Sequence, residues 1–172
     1  KININSLGVI FAKASDGYFR SSDNGENWLQ LTSIPEGLEI FGITNSDAMF
    51  ASASDSGYYY STDYGDSWNY LTKGNGKPIR SFASNVIGYL FILEHFNNVL
   101  RSTDQGFTWQ EINSGVDASS LNCLSITDDD YLLLGSSGQG VYRSVNKTTS
   151  VENKFVELPN SFSLEQNYPN PF

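Results

Sequence analysis

The sequence is short of cysteine, of positive charge and of long apolar runs. One of its 172 residues is cysteine, so an internal disulfide is excluded. Ten Lys and Arg stand against nineteen Asp and Glu, and the formal net charge is −9. Nucleic acids and anionic membrane surfaces recruit basic side chains, so we expect neither as a partner. No apolar run is long enough to cross a bilayer, so no membrane span is expected.

The single cysteine, Cys123, lies in an apolar segment between Leu121 and Leu124. A free cysteine in such a setting behaves as a small hydrophobic residue, so we predict a buried strand residue and not a nucleophile. The first residue is Lys1 and not an initiator Met. We therefore expect the chain to begin inside a longer protein, and the absence of a signal peptide carries no information.

What the sequence does contain is an internal repeat of the pattern Ser-x-Asp-x-Gly-x-polar-Trp. Its copies, here named repeat loops 1, 2 and 3, span residues 21–28, 61–68 and 102–109, so they begin 40 and 41 residues apart. A worn fourth copy begins at Ser144. A fixed step of this length is typical of repeat folds. The shared positions are Ser21, Asp23, Gly25 and Trp28; Ser61, Asp63, Gly65 and Trp68; and Ser102, Asp104, Gly106 and Trp109.

Each repeat loop has the composition of a hairpin turn that stabilises itself. The Asp carboxylate can accept hydrogen bonds from backbone N–H groups of the loop, and the Gly supplies a positive φ without steric cost. The Trp brings a large apolar surface that we expect to pin the loop to a sheet. A calcium loop would need acidic or amide side chains at alternating positions ending in Glu, and no copy has them. We therefore predict structural loops and no metal.

The segments around the loops predict an all-β protein. Ten Tyr, eleven Phe and fifteen Gly suit short strands joined by tight turns. The second strand of three units is the most apolar and is predicted to be core: Val9–Ala12, Tyr89–Leu93 and Tyr131–Leu134. Four antiparallel strands per unit indicate about four blades of a β-propeller. The predicted strands are 1–6, 8–14, 17–21 and 28–31; 38–44, 48–52, 57–61 and 68–71; 79–84, 89–93, 99–102 and 109–112; and 121–127, 131–135 and 141–144.

The three repeat loops resemble the Asp-box, or BNR, repeat. That repeat is found in the β-propellers of sialidases, sortilin-like receptors, xyloglucanases and many secreted bacterial proteins. The resemblance implies that each loop lies at the outer rim, between the third and fourth strands of a blade, and supports the fold without taking part in chemistry. It also implies that residues 1–150 are propeller blades. Four blades are a low count for closure, so we predict that they are the C-terminal part of a propeller with more blades.

The end of the chain has a different character. Residues 151–162 are polar and read as a linker, and the prolines that follow exclude a helix or a central strand. The last nine residues, from Leu164 to Phe172, resemble the opening of the C-terminal sorting domain of the type IX secretion system of Bacteroidetes and related bacteria. The resemblance implies that residues 163–172 begin a truncated sorting domain. It also implies that the complete domain engages the secretion machinery and sends the protein outside the cell or to the outer-membrane surface. The motif residues are Gln166, Asn167, Tyr168, Pro169, Asn170, Pro171 and Phe172.

Candidate catalytic or metal-binding side chains are few, and the sequence does not group them into a recognisable site. Three arginines share one repeat position, which favours a role at the rim over a sialidase-like triad that binds a carboxylate. Three carboxylates lie on loops where propellers bind ligands, but nothing in the sequence pairs them as a glycosidase requires. The single histidine and the Asp run are predicted to be solvated turn residues. These candidates are Arg20, Arg101 and Arg143; Asp16, Asp55 and Glu94; His95; and Asp128–Asp130.

The sequence therefore favours a secreted or surface-displayed binding or scaffolding module. We expect no catalysis of its own, no catalytic residue and no cofactor, and a carbohydrate or protein ligand. The alternative is a C-terminal fragment of an extracellular glycoside hydrolase, sialidase-like or xyloglucanase-like, whose catalytic residues lie elsewhere.

Overall fold

The computed structural model describes residues 1–53, 57–72, 77–95, 97–113, 116, 120–138 and 140–149, and the backbone of 162–163. These residues form four antiparallel sheets of four strands each and contain no helix, as the sequence predicts. No membrane-spanning helix exists in this part of the chain. Sheet I comprises β1 (Ile2–Ile4), β2 (Ile10–Ala14), β3 (Gly17–Ser21) and β4 (Leu29–Leu31); sheet II, β5 (Glu39–Ile43), β6 (Met49–Ala53), β7 (Gly57–Ser61) and β8 (Asn69–Thr72). Sheet III comprises β9 (Ile79–Ser84), β10 (Leu90–Glu94), β11 (Asn98–Ser102) and β12 (Gln110–Glu111); sheet IV, β13 (Leu121–Ile126), β14 (Leu132–Ser136), β15 (Gly140–Ser144) and β16 (Phe162–Ser163).

Within each sheet the strands pair in chain order, so every sheet is a meander. The boundaries follow the predicted ones closely because turn residues punctuate each unit. The fourth sheet differs from the prediction at its last strand. Arg143 and Ser144 pair with Ser163 and Phe162, which the sequence places at the junction of the linker and the tail. Residues 151–161 and 164–172, which hold the rest of the predicted linker and the sorting motif, lie outside the described residues.

The core is divided into three apolar clusters, and each cluster joins two consecutive sheets. The cluster of sheets I and II contains Phe11, Tyr18, Leu31, Leu38, Ile40, Met49 and Ala51. The cluster of sheets II and III contains Phe41, Phe50, Tyr58, Leu71, Leu90, Ile92 and Leu100. The cluster of sheets III and IV contains Phe91, Leu93, Val99, Leu121, Leu124, Leu132, Leu134 and Tyr142. Sheets II and III are thus covered on both faces, and within the described residues no cluster joins sheets IV and I.

The second strands are buried only as far as a neighbouring sheet covers them. The prediction of core residues is confirmed over Leu90–Leu93, which are buried on both faces. It is wrong for Ile10 and Ala12 of β2 and for Leu133 of β14, which are only half-buried on the outer faces of sheets I and IV. Val9, Tyr89 and Tyr131, which directly precede the strands, are also only half-buried. A continuous apolar run alone does not show whether a sheet has one neighbour or two.

The prediction for Cys123 is also wrong, because its side chain is exposed. A β-bulge interrupts the register between Leu121 and Cys123, so Leu121 and Leu124 both face the core and the residues between them face outward. The cysteine pairs with Gly135, and a Cβ on that glycine would lie 2.7 Å from the Cys123 sulfur.

Candidate functional site

Each repeat loop is held together by a serine hydroxyl that bridges the loop. In repeat loop 2, Ser61 Oγ donates to Asp63 Oδ1 at 2.7 Å and accepts from the Gly65 N–H at 2.9 Å. The same two bonds recur in loop 1 at 2.8 and 2.9 Å and in loop 3 at 2.8 and 2.7 Å. The three serines are buried, and their hydroxyls are satisfied by these hydrogen bonds inside the loop.

The aspartates accept hydrogen bonds on both carboxylate oxygens. Asp63 Oδ1 accepts from the Ser67 N–H at 2.9 Å, and Oδ2 accepts from the Ser67 hydroxyl at 2.6 Å. The bonds from Ser67 lower the pKa of Asp63 to about 2, and those from Asn27 lower the pKa of Asp23 to about 2. Partial burial raises the pKa of Asp104, but hydrogen bonds led by those from Thr108 outweigh it and leave the pKa below its ordinary value. These carboxylates are therefore engaged within their own loops.

Two consecutive residues of each loop adopt the left-handed conformation. The glycines have φ of 88° to 92°, and the residue before each glycine has φ of 60°. These preceding residues are Asn24, Tyr64 and Gln105. The sequence indicated the glycine but not its neighbour, because among the three only Asn is a residue type that favours this region.

Repeat loops 2 and 3 also contact the preceding sheet. Trp109 packs edge-on to Tyr58 of sheet II with ring centroids 5.5 Å apart, and Trp68 packs against the cluster of sheets I and II. A Cβ on Gly106 would lie 2.6 Å from Leu71 of sheet II. The glycine therefore permits close approach of two sheets in addition to the turn.

Repeat loop 1 has no such neighbour among the described residues. Trp28 is 44% exposed, and its indole N–H donates to the carbonyl of Gly25 in its own loop at 3.0 Å. A Cβ on Gly25 would meet only the Trp28 ring, at 3.7 Å. The predicted pinning of loop to sheet thus describes Trp68 and Trp109 but not Trp28.

The three repeat-position arginines occupy one register position, as predicted. Arg20, Arg101 and Arg143 pair with Phe11, Phe91 and Leu133 on the second strand of their sheets. Arg20 reaches repeat loop 2, where it donates to the Tyr64 carbonyl at 3.0 Å and pairs with Asp66 at 3.1 Å. The Arg101 and Arg143 guanidinium groups lie over the rings of Tyr89 and Tyr131 at 5.7 and 4.7 Å.

A cleft opens between sheets I and II at the ends of the strands, on the side opposite the repeat loops. Its volume is about 320 Å³, and it lies between the β2–β3 turn and the connection from β4 to β5. Leu31, Ile34 and Leu38 form apolar walls. At its rim the Lys13 ammonium donates to the Glu39 carboxylate. The remaining lining residues include Pro35, Glu36 and Tyr18.

Tyr18 forms the polar end of this cleft. Its hydroxyl accepts from the Ile40 N–H at 3.1 Å and lies 3.4 Å from Glu39 Oε2. Burial raises the pKa of Tyr18 above its ordinary value. The Tyr18 ring is buried, so it contributes to the wall of the cleft but has no exposed aromatic face for a ligand to stack on.

At the corresponding strand ends of sheets II and III there is a buried carboxylate in place of a cleft. Tyr58 donates to Glu94 Oε1 at 2.9 Å, and Asn98 donates to Oε2 at 3.0 Å. Lys77 lies 3.9 Å from the same carboxylate, and Glu94 is completely buried. Burial, with the adjacent Glu94 carboxylate, raises the pKa of Tyr58. The group therefore joins two sheets and is closed to a substrate.

The other candidates are spread over separate turns. Asp16 is exposed, and Asp55 lies outside the described residues. His95 Nδ1 lies 3.4 Å from Arg80 Nη2. Asp130 accepts hydrogen bonds from Thr148 and from the Thr149 N–H, whereas Asp128 and Asp129 are exposed. In the described part of the chain no three His, Cys, Asp or Glu side chains are close enough to hold a metal ion.

No family model matches the chain, and no curated protein matches it. Solved structures do. The GH74 xyloglucanase from Xanthomonas campestris has a TM-score of 0.66 and 17% identity over 84% of this chain and 28% of that one. YCF48 from Cyanidioschyzon merolae has a TM-score of 0.60 and 13% identity over 90% of this chain and 54% of that one. The extracellular domain of a B. thetaiotaomicron protein has a TM-score of 0.61 and 16% identity over 84% and 20%.

These similar structures are β-propeller proteins, and the sheets described above are blades of that fold. The chain spans about a quarter of the length of the xyloglucanase and about half of YCF48. Identities of 13 to 17% establish the fold and nothing more about this chain.

Proposed function

We propose that these blades are a binding module that holds a protein segment in the cleft between sheets I and II. The observation that carries this proposal is the combination of apolar walls with charged groups at one open edge. An extended peptide offers both apolar side chains and charges. A sugar ligand would favour an exposed aromatic face for stacking, and Tyr18 does not provide one. A carbohydrate is therefore the second ligand class.

Peptide and glycan arrays probed with the purified chain test this function. The variant Lys13→Glu combined with Glu36→Arg reverses two exposed charges of the cleft and leaves its apolar walls intact. The matched control is Asp128→Arg, which reverses an exposed charge in the β13–β14 turn, at the strand ends opposite the cleft. We expect peptides retained by the wild type and the control to be lost by the cleft variant. Retention by all three proteins, or retention of glycans alone, would refute the proposal.

A second candidate is part of an extracellular glycoside hydrolase, and the likeness to a xyloglucanase favours it. A glycosidase needs two carboxyl groups facing each other across a cleft. Glu94 is buried and bonded to Tyr58 and Asn98, so the carboxyl groups available at the cleft are Glu36 and Glu39. Release of reducing sugar from xyloglucan, lost in Glu39→Gln, would favour this candidate over the binding module. We expect no release from the wild-type chain.

We also propose that the three repeat loops are Asp boxes and act as structural staples. The closed hydrogen-bond sets of Asp23, Asp63 and Asp104 support this role. Alanine at any of the three should lower stability and leave ligand binding by the folded protein unchanged. A variant with normal stability and lost binding would contradict it.

Export by the type IX system is proposed from residues 163–172, whose sequence resembles the opening of its sorting domain. The test belongs in the bacterium that makes the protein, with Tyr168 and Pro169 both replaced by alanine in the natural full-length gene product. We expect the protein to disappear from the outer-membrane surface and medium and to accumulate in the periplasm. Unchanged surface delivery of the variant would show that this segment is not a sorting signal.

A further inference from the structure

We propose that the peptide segment held in the cleft between sheets I and II carries a basic residue, Lys or Arg, next to an apolar one. This inference rests on the proposed function, because it specifies the ligand of the same cleft. The apolar side chain packs against Ile34 and Pro35, and the basic side chain pairs with the Glu36 carboxylate. The charges at the mouth of the cleft, and the partners that each charge has, carry the inference.

The mouth of the cleft has more negative than positive charge. Lys13, Glu36 and Glu39 all line it, and all three are exposed. Asp16 is also exposed, in the β2–β3 turn that forms one side of the cleft. Three carboxylates therefore stand near one ammonium group. A ligand that complements this charge distribution is cationic.

The ammonium group at the mouth already has partners within the cleft. Lys13 Nζ donates to the Glu39 carboxylate and lies 5.6 Å from the centre of the Tyr18 ring. Among the described residues that line the cleft, Lys13 is the one basic residue. Lys1 lies nearby, but its ammonium donates to two backbone carbonyls of β5. A ligand carboxylate would therefore have to compete for a cation that is already bonded.

Glu36 is the lining carboxylate that remains available to a ligand. It makes no hydrogen bond or ion pair within the residues that the structure describes, and it is exposed. Glu39, in contrast, accepts from Lys13, and its Oε2 lies 3.4 Å from the Tyr18 hydroxyl. A ligand ammonium or guanidinium group can therefore pair with Glu36 without breaking a contact inside the protein.

The chain position of Glu36 relates the two parts of the ligand to each other. Ile34, Pro35 and Glu36 are consecutive in the connection from β4 to β5. Ile34 is half-buried and Pro35 is exposed, so both still have apolar surface that a ligand can cover. The cleft volume of about 320 Å³ lies at the lower end of the range for ligand sites, so the bound segment is short. The ligand residues that meet the wall and the carboxylate are therefore neighbours.

The charge of the whole chain favours the same class of ligand. A formal net charge of −9 attracts cationic peptides from a distance. Because that attraction is not specific to the cleft, the test must show that the preference for a basic residue depends on Glu36.

A random peptide library displayed on phage and selected on the purified chain identifies the preferred ligands. We expect the wild type to enrich sequences in which Arg or Lys adjoins a large apolar residue. Glu36→Arg leaves the apolar walls intact and should enrich sequences with Asp or Glu in that place. Asp128→Arg, which reverses an exposed charge at the opposite strand ends, is the matched control and should select the same sequences as the wild type.

Fluorescence polarisation then measures the Kd of one selected peptide made with Arg, Gln or Glu at the basic position. For the wild type we expect the Gln peptide to bind about two- to fivefold more weakly than the Arg peptide, as loss of an exposed ion pair predicts. The Glu peptide should bind more weakly still. For Glu36→Gln, the Arg and Gln peptides should bind equally. Because Glu36 is exposed and unbonded, these variants should melt like the wild type.

Ile34→Ala separates the inference from the proposed function. It shortens a wall of the cleft and leaves every charge in place, so it should weaken all three peptides by a similar factor. If it weakens none of them, or if no peptide is selected, the cleft does not bind peptides and the proposed function fails together with the inference. If it weakens all three but the wild type binds them equally, the inference alone fails. A preference for Arg that survives in Glu36→Arg also overturns the inference alone.

Discussion

A methyl group at Gly42 should weaken the packing of sheet II on sheet III. Gly42 lies in β5, and its backbone is not in the left-handed region, so the glycine is not required by the turn of the chain. An added Cβ would lie 2.0, 2.3 and 2.6 Å from three atoms of the Phe82 ring. Real Cβ atoms approach other carbons to about 3.5 Å, so either the ring or the strand must move.

Movement of the ring or of the strand would each cost stability. The Phe82 ring is set among Phe41 and Phe50 with centroids 5.5 and 6.0 Å away, so displacement disturbs an aromatic cluster. Overpacking typically costs about 1–3 kcal/mol, and three ring atoms are involved here, so we expect about 3 kcal/mol for Gly42→Ala. In a chain of this size that loss lowers the melting temperature by about 6–12 °C.

Thermal and urea unfolding, followed by circular dichroism, measure the loss. The matched control is the same substitution in a Phe82→Ala background, where the ring is absent and Gly42→Ala should cost little. The resulting interaction free energy between the two sites should be about 2–3 kcal/mol. If Gly42→Ala costs less than about 1 kcal/mol, or costs the same in both backgrounds, the close approach of the sheets is not what requires glycine there.

Three further substitutions test the polar groups of the blades. Ser102→Ala leaves the Gly106 N–H without its acceptor, so it should lower the free energy of unfolding by about 1–3 kcal/mol in urea, and an unchanged midpoint would contradict the role of the serine. Asp63 has a pKa of about 2 in the folded protein against an ordinary 3.8, so its stabilisation is complete above about pH 4 and is lost as pH falls toward 2. Asp63→Asn should therefore make the free energy of unfolding depend less on pH below about pH 4, and an unchanged pH dependence would refute this. Tyr58→Phe removes a donor to the buried Glu94 carboxylate and should cost about 1.5–3 kcal/mol by the same urea assay, whereas a neutral result would mean that other contacts of Glu94 suffice.

Most strands could be predicted because their signals are local. Turn residues and the repeat loops fix where each strand begins and ends, and Gly17–Ser21, Gly57–Ser61 and Ile79–Ser84 have the predicted bounds. The hydrogen bonds inside a repeat loop join residues no more than four apart, so the loop chemistry is also readable from the sequence. The strand Phe162–Ser163 lacks any such signal, since its partner β15 is about twenty residues away and the loop between them has lost its pattern.

What the sequence does not show is which faces are covered. Cys123 and Ile10 both read as core, yet a bulge turns Cys123 outward, and Ile10 lies on a face that none of the described residues covers. Gly42 reads as an ordinary strand glycine, although its lack of a side chain admits Phe82 from the next sheet. Gly42 and Phe82 are about forty residues apart, and a local pattern carries no information about such contacts.

The repeat loops therefore have two separable parts. The Ser, Asp and Gly positions close a hydrogen-bond set that is identical in all three loops and independent of any neighbour. The sixth position differs among the loops, as Glu26, Asp66 and Phe107, and at the contact of sheets I and II Asp66 pairs with Arg20. A stack in which every loop were identical could pair any blade with any other. Because unlike charges attract across a contact, a variable sixth position can favour one neighbouring blade over another, as Asp66 does through its ion pair with Arg20.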